Sequence, residues 1–123
     1  MTIIEAITRV DALKPNVYKQ SEKIAWLSSL DAFIKTTIVD THKGGEEISF
    51  SDYDESTPLT TELIVPSPYD ELYLFWLEAK IDYYDREFKK YNNTMAMYQA
   101  ALEKFESYYV RTHMPIGKRR FLF

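Results

Sequence analysis

Between Ile24 and Ile38 the large apolar residues fall three or four places apart, at Ile24, Leu27, Leu30, Ile34 and Ile38. That spacing repeats one face of an α-helix, and no strand could put those residues on a common side. Trp26 and Phe33 widen the stripe. The repeat returns in Ile3, Ile7 and Val10, and in Met95, Tyr98, Leu102, Phe105 and Tyr109. From Tyr69 onward two stripes run together: Tyr69, Leu72, Trp76, Ala79 and Tyr83, then Tyr73, Leu77, Ile81, Tyr84, Phe88 and Tyr91. A helix that is apolar on two sides sits centrally in its bundle or is covered by another subunit. The expected fold is therefore all-α, a small four-helix domain.

Local signals set the expected boundaries. Thr2 and Glu5 form a capping box, and Lys14-Pro15-Asn16 ends a first helix over 3–13. Ser21 is the expected cap of a second helix over 21–42, stopped by Lys43-Gly44-Gly45. In Pro66-Ser67-Pro68, Ser67 reads as a cap and Pro68 as the first position of a third helix over 68–91. Asn92-Asn93 then reads as a turn, with Asn93 or Thr94 capping a fourth helix over 94–112.

The stretch between the second and third helices is different material. Residues 44–65 carry Glu46, Glu47, Asp52, Asp54, Glu55 and Glu62, and no Lys or Arg. Ile48-Ser49-Phe50 and Leu63-Ile64-Val65 have the length of short strands, but Pro58 and the polar residues between them favour a long loop. We expect that loop to be mobile, because few apolar residues are available to hold it down. Past Pro115 and Gly117 the composition reverses. The tail Lys118-Arg119-Arg120-Phe121-Leu122-Phe123 is basic and aromatic. The domain is thus expected over 1–115, with a C-terminal arm over 116–123.

Composition narrows the function classes. Of the 123 residues, 46% are hydrophobic, which is too apolar for a disordered chain. There is no Cys, which removes disulfides and thiolate metal sites. The first residues lack the features of a signal peptide and no run is long enough to span a bilayer, so a soluble cytoplasmic protein is expected. A net charge of −4 argues against nucleic acid as the main partner.

Catalytic patterns are missing. His42 and His113 are the only histidines, each near an expected helix end where such residues meet exposed carbonyls. Val39 and Val110 occupy the positions where a di-iron bundle would need Glu. HExxH, a Walker loop and a dinucleotide-binding glycine pattern are absent. Asp52-Tyr53-Asp54-Glu55 lacks the spacing of an EF-hand, and the pair Asp82 and Asp85 reads as an ordinary helix face. No catalytic, cofactor-binding or metal-binding residue is assigned. The chain does hold more rings than a small bundle can house, Tyr18, Tyr53, Tyr69, Tyr83, Tyr84, Tyr108 and Phe121 among them. Some of that surface is expected to meet another chain.

The run from Pro66 to Tyr73, then Leu77-Glu78-Ala79, Ile81-Asp82-Tyr83, Tyr91-Asn92-Asn93 and Arg111-Thr112-His113-Met114-Pro115, resembles small proteins of tailed phages and prophages of Gram-positive bacteria. Lys14-Pro15-Asn16 and Lys23-Ile24-Ala25-Trp26-Leu27 extend the likeness to the first half. These in turn look like head–tail connector, or adaptor, proteins of long-tailed phages. The resemblance implies a structural subunit of the virion neck, made in the host cytoplasm, without enzymatic activity or cofactor. It implies self-association into a dodecameric ring on the portal protein, extending the DNA channel and carrying further neck and tail-completion proteins.

Two sets of residues suit that role. Lys118, Arg119, Arg120, Phe121 and Phe123 combine charge and rings in the manner of interface anchors, and are expected to dock on a partner such as the portal. The acids of the 44–65 loop suit a channel wall, where repulsion lets DNA pass without specific binding. The alternative reading is a small helical protein-binding module, such as a phage or prophage regulator, with no ring role.

Overall fold

The computed structural model describes residues 1–116 and is all-α. Its four helices are α1 (Ile3–Leu13), α2 (Gln20–Ile34), α3 (Leu72–Tyr84) and α4 (Phe88–Thr112). No strand forms among the described residues; only the isolated bridges Thr2–Glu62 and His42–Pro115 pair extended backbone. The C-terminal residues Lys118, Arg119, Arg120, Phe121 and Phe123 lie outside the described residues.

The capping box forms as expected. The Glu5 amide donates to Thr2 Oγ1 at 3.2 Å, and the Thr2 amide donates to Glu5 Oε1 at 2.8 Å. A helix start leaves further amides without partners. Here distant carbonyls take them: Ile3 N–H donates to Thr61 O and Ile4 N–H to Leu59 O, both at 3.0 Å. The end of the acidic loop thereby seals the start of α1.

Helix α2 departs from expectation at both ends. It begins at Gln20, and the Lys19 amide donates to the Glu22 carboxylate at 3.0 Å, so Ser21 is not the cap. It stops being α-helical at Ile34 and widens into a π-helical turn over Lys35–Val39, closed by Asp40 N–H to Lys35 O at 2.8 Å. The local cause is the β-branched, hydroxyl-bearing run after Lys35. Thr36 and Thr37 hydroxyls donate to Ala32 O and Phe33 O at 2.8 and 2.7 Å, competing for the carbonyls that the helix would use. Gly44 follows in a left-handed conformation at φ 89°. Gly45 is needed for space: a Cβ there would stand 2.5 Å from Val39 O.

The loop is anchored, contrary to the expectation that little would hold it. Tyr53, Leu63 and Val65 are buried in the core, whereas Glu46, Glu47, Asp52, Asp54, Glu55 and Glu62 all face outward. Alternation of this kind was hidden by the loop's acidic composition.

The third and fourth helices divide differently from the expected 68–91 and 94–112. A 3₁₀ turn over Tyr69–Glu71 leads into α3, and Ser67 makes no side-chain cap. The chain breaks at Asp85–Glu87, not at Asn92-Asn93, which lies inside α4. Arg86 takes the left-handed conformation at φ 61°. Its amide donates to Tyr83 O at 3.1 Å, and the Glu87 amide reaches back to Asp82 O at 2.9 Å. These are the two bonds of a Schellman ending, with Arg where Gly is usual. With no Gly or Pro at 85–87, nothing local announces the break. Helix α3 is central, as its two stripes imply: Leu72, Tyr73, Leu77 and Ile81 are fully buried, and it contacts α1, α2 and α4.

Candidate interaction surface

Three polar clusters tie the bundle together, and apart from the Tyr109 hydroxyl their buried polar groups have hydrogen-bond or ion-pair partners among the described residues. Asp31 is fully buried. Its Oδ2 accepts from the Tyr53 hydroxyl at 2.6 Å and the Ile64 amide at 3.2 Å, and its Oδ1 from the Tyr73 hydroxyl at 2.6 Å. The Tyr73 oxygen in turn accepts the Val65 amide at 2.8 Å. Burial pushes the Asp31 carboxyl above its ordinary range, against the opposing pull of those donors. Both tyrosine hydroxyls are pushed up by burial, and further by the Asp31 charge. The cluster ties the loop to α2 and α3. Sequence reasoning passed over Asp31, and its place in the apolar stripe between Leu30 and Ile34 was the available signal.

The second cluster is at the α3–α4 elbow. Asp82, which the sequence suggested was an ordinary surface acid, is buried. Lys14 Nζ lies 2.6 Å from its Oδ1, and the Thr94 hydroxyl donates to its Oδ2 at 2.9 Å. The bond to Asp82 raises the Lys14 ammonium above its usual value. Asp85 is exposed and takes the Tyr18 hydroxyl at 2.7 Å, which holds that phenol up at about 12. The two acids are thus used separately.

The third cluster gathers both histidines around Tyr109. His42 stands edge-on to that ring at 5.4 Å, and His113 stacks on it at 3.8 Å. His42 Nδ1 lies 2.7 Å from Ile38 O, and His113 Nδ1 lies 3.2 Å from Tyr109 O. Each therefore meets a carbonyl at a helix end. Among the described residues, no group of three or more His, Asp or Glu is placed to hold a metal ion.

What the interior does not absorb is a run of rings at one pole of the bundle. Tyr18 meets Trp26 at 5.7 Å, Trp26 stacks on Tyr84 at 5.6 Å, and Tyr84 meets Tyr83 at 5.2 Å. Tyr83 goes on to Tyr91 at 5.4 Å and Phe88 at 6.2 Å. Tyr83, Tyr84 and Phe88 remain 49%, 51% and 54% exposed. Beside them Trp76, Lys80, Tyr91 and Met95 line a groove of about 400 Å³, with the Lys80 ammonium 4.8 Å above the Trp76 ring. Of the other rings singled out from the sequence, Tyr53 is buried and Tyr69 stacks on Tyr108 at 4.8 Å, the latter two half-buried, while Phe121 lies outside the described residues.

The described part of the chain thus presents two unlike surfaces. One end of the bundle is aromatic; the 44–65 loop, its acids outward, packs on the starts of α1 and α3 and against α2. The candidate anchors of the C-terminal arm lie beyond the described residues. No helix among the described residues is long and apolar enough to cross a membrane. No protein-family model, no curated protein and no solved structure matches the chain.

Proposed function

We propose that this chain is a non-catalytic assembly subunit of the head–tail connector, or adaptor, kind. In that role it joins a ring on the portal protein at the virion neck, lengthens the DNA channel and carries the tail-completion proteins. The observation that supports the reading best is the exposed aromatic run Tyr83, Tyr84 and Phe88 at the α3–α4 elbow. Large rings left half in water by a folded domain mark a surface that another chain covers. The sequence resemblance to phage neck proteins supplies the kind of chain.

The polar clusters are consistent with this reading, because each buried carboxylate is occupied by donors from its own chain. The outward acids of the loop suit a channel wall that DNA passes without adhering. The arm from Lys118 to Phe123 offers charge and rings for the portal.

Mixing the purified chain with portal assemblies and imaging the product tests the proposal. The expected result is added ring density at one end of the portal, lost when residues 116–123 are removed. A chain that binds neither portal nor neck proteins would refute it. Salt-sensitive DNA binding by the free subunit would count against the channel role.

A further inference from the structure

We infer that the aromatic pole docks on the acidic pole of a second copy of this chain, head to tail. The inference rests on the assembly reading and names the two surfaces.

The poles are at opposite ends of the same helices. The loop meets the start of α1 through Ile3 and Ile4, and the start of α3 through the Val65 bond to Tyr73. The elbow meets the far end of both, where Lys14 follows α1 and Asp82 is in the last turn of α3. Those helices have 11 and 13 residues, separating the poles by about 16–20 Å at 1.5 Å per residue.

The opposite end leaves Val110, Met114 and Ile116 exposed, but more of the apolar surface lies at the elbow. Of the ten large apolar side chains exposed among the described residues, five belong to this end: Leu13, Val17, Tyr83, Tyr84 and Phe88. Charge selects the occupant. At the aromatic pole the acids are used internally: Asp82 by Lys14, Glu87 by Lys90 at 3.3 Å, and Asp85 by the Tyr18 hydroxyl. Exposed Arg86 and Lys89 have no ion-pair partner among the described residues. In the loop Glu46, Glu47, Asp54 and Glu55 have none either; Asp52 sits beside Ser28 on the flank of α2, and after exposed Lys43 no cation occurs from 44 to 65.

Two acidic poles repel each other, and two aromatic poles would leave Arg86 and Lys89 facing like charge. Only the unlike pairing satisfies both, and a contact between unlike faces of one chain propagates around a ring. The acidic pole also has a seat for a ring. Phe50, Pro58, Thr61 and Ile64 help to line a groove of about 490 Å³, with Glu62 as its carboxylate.

Sedimentation velocity of the full chain, over a wide concentration range at low ionic strength, tests the pairing. Self-association should rise with concentration and weaken with salt. Three variants at exposed positions, each checked for native helicity, dissect it. They are Tyr83→Ser with Phe88→Ser, Arg86→Glu with Lys89→Glu, and Glu46→Lys with Glu47→Lys and Glu55→Lys. Each should weaken association about tenfold or more. Mixing the second variant with the third should restore association, through the reversed elbow of one on the reversed loop of the other and through the two unaltered poles. A monomeric wild type, an acidic-loop variant that associates normally, or a mixture that fails to recover would each overturn the pairing. Loss through deletion of 117–123 alone, with the three variants unaffected, would move the contact elsewhere and also overturn it. Portal binding by a wild type that stays monomeric would sink this inference and leave the assembly reading standing. Self-association without portal binding would do the reverse.

Discussion

Removing one oxygen atom, in Tyr73→Phe, should be among the most damaging small changes to this fold. The hydroxyl does two jobs in a site with no access to water, since Tyr73 is fully buried. It donates to Asp31 at 2.6 Å and accepts the Val65 amide at 2.8 Å. A hydrogen bond to a charged group is worth about 1.5–3 kcal/mol, and a buried donor left without an acceptor costs about 1–3 kcal/mol. The two together predict a loss of about 3–5 kcal/mol, a large share of the roughly 5–15 kcal/mol by which domains are stable. Tyr53→Phe is the internal control. It removes the other phenol from Asp31 but orphans no amide, so its cost should stay near 1.5–3 kcal/mol by the same rule, about half as much.

Urea denaturation followed by circular dichroism measures both, and the two variants should share a slope while differing in midpoint. Hydrogen exchange adds a local readout, because the Val65 amide should lose its protection in Tyr73→Phe and keep it in Tyr53→Phe. If Tyr73→Phe is no more destabilising than Tyr53→Phe, the assignment of a double role is wrong. The same holds if Val65 exchanges equally in both.

Arg86→Gly should stabilise the monomer by about 1 kcal/mol, since Gly adopts the left-handed conformation without the Cβ penalty that Arg pays there; a lower urea midpoint would refute it. Tyr109→Phe should be neutral or slightly stabilising, because the buried Tyr109 hydroxyl has no hydrogen-bond partner among the described residues; a loss above about 1 kcal/mol would reveal a partner. The Asp31 carboxyl titrates above its unfolded value, so the folded state binds the extra proton. Its contribution to stability is full below the ordinary carboxylate range and is lost as pH rises through the raised folded value. Wild-type stability measured relative to Asp31→Asn should therefore decline over that window and flatten above it, and a rise with pH would reverse the sign of the claim.

Interactions between near neighbours were legible in the amino-acid order. The Thr2–Glu5 box, the stripe from Ile24 to Ile38 and the central place of the third helix all depend on residues three or four apart, and each forms, although Phe88 and Tyr91 of its expected second stripe fall in α4. Both histidines sit at helix ends for the same local reason. The surplus of rings was countable, but not its location. Tyr18 and Trp26 reach Tyr84 only because α2 packs on α3, and Phe88 and Tyr91 join Tyr83 because the chain reverses at Arg86.

That reversal has no local breaker. It is held by Lys14 and Thr94, brought to Asp82 from 68 positions upstream and 12 downstream. The loop teaches the same lesson. Its acids are visible as a string of letters, but Tyr53 and Ile64 are pinned by Asp31, 22 and 33 residues away. A periodicity reports which side of a segment seeks cover, because that depends on the segment's own geometry. Which partner provides the cover, and which rings are left in water afterwards, depends on contacts between segments far apart in the chain, and those exist only once the bundle has closed.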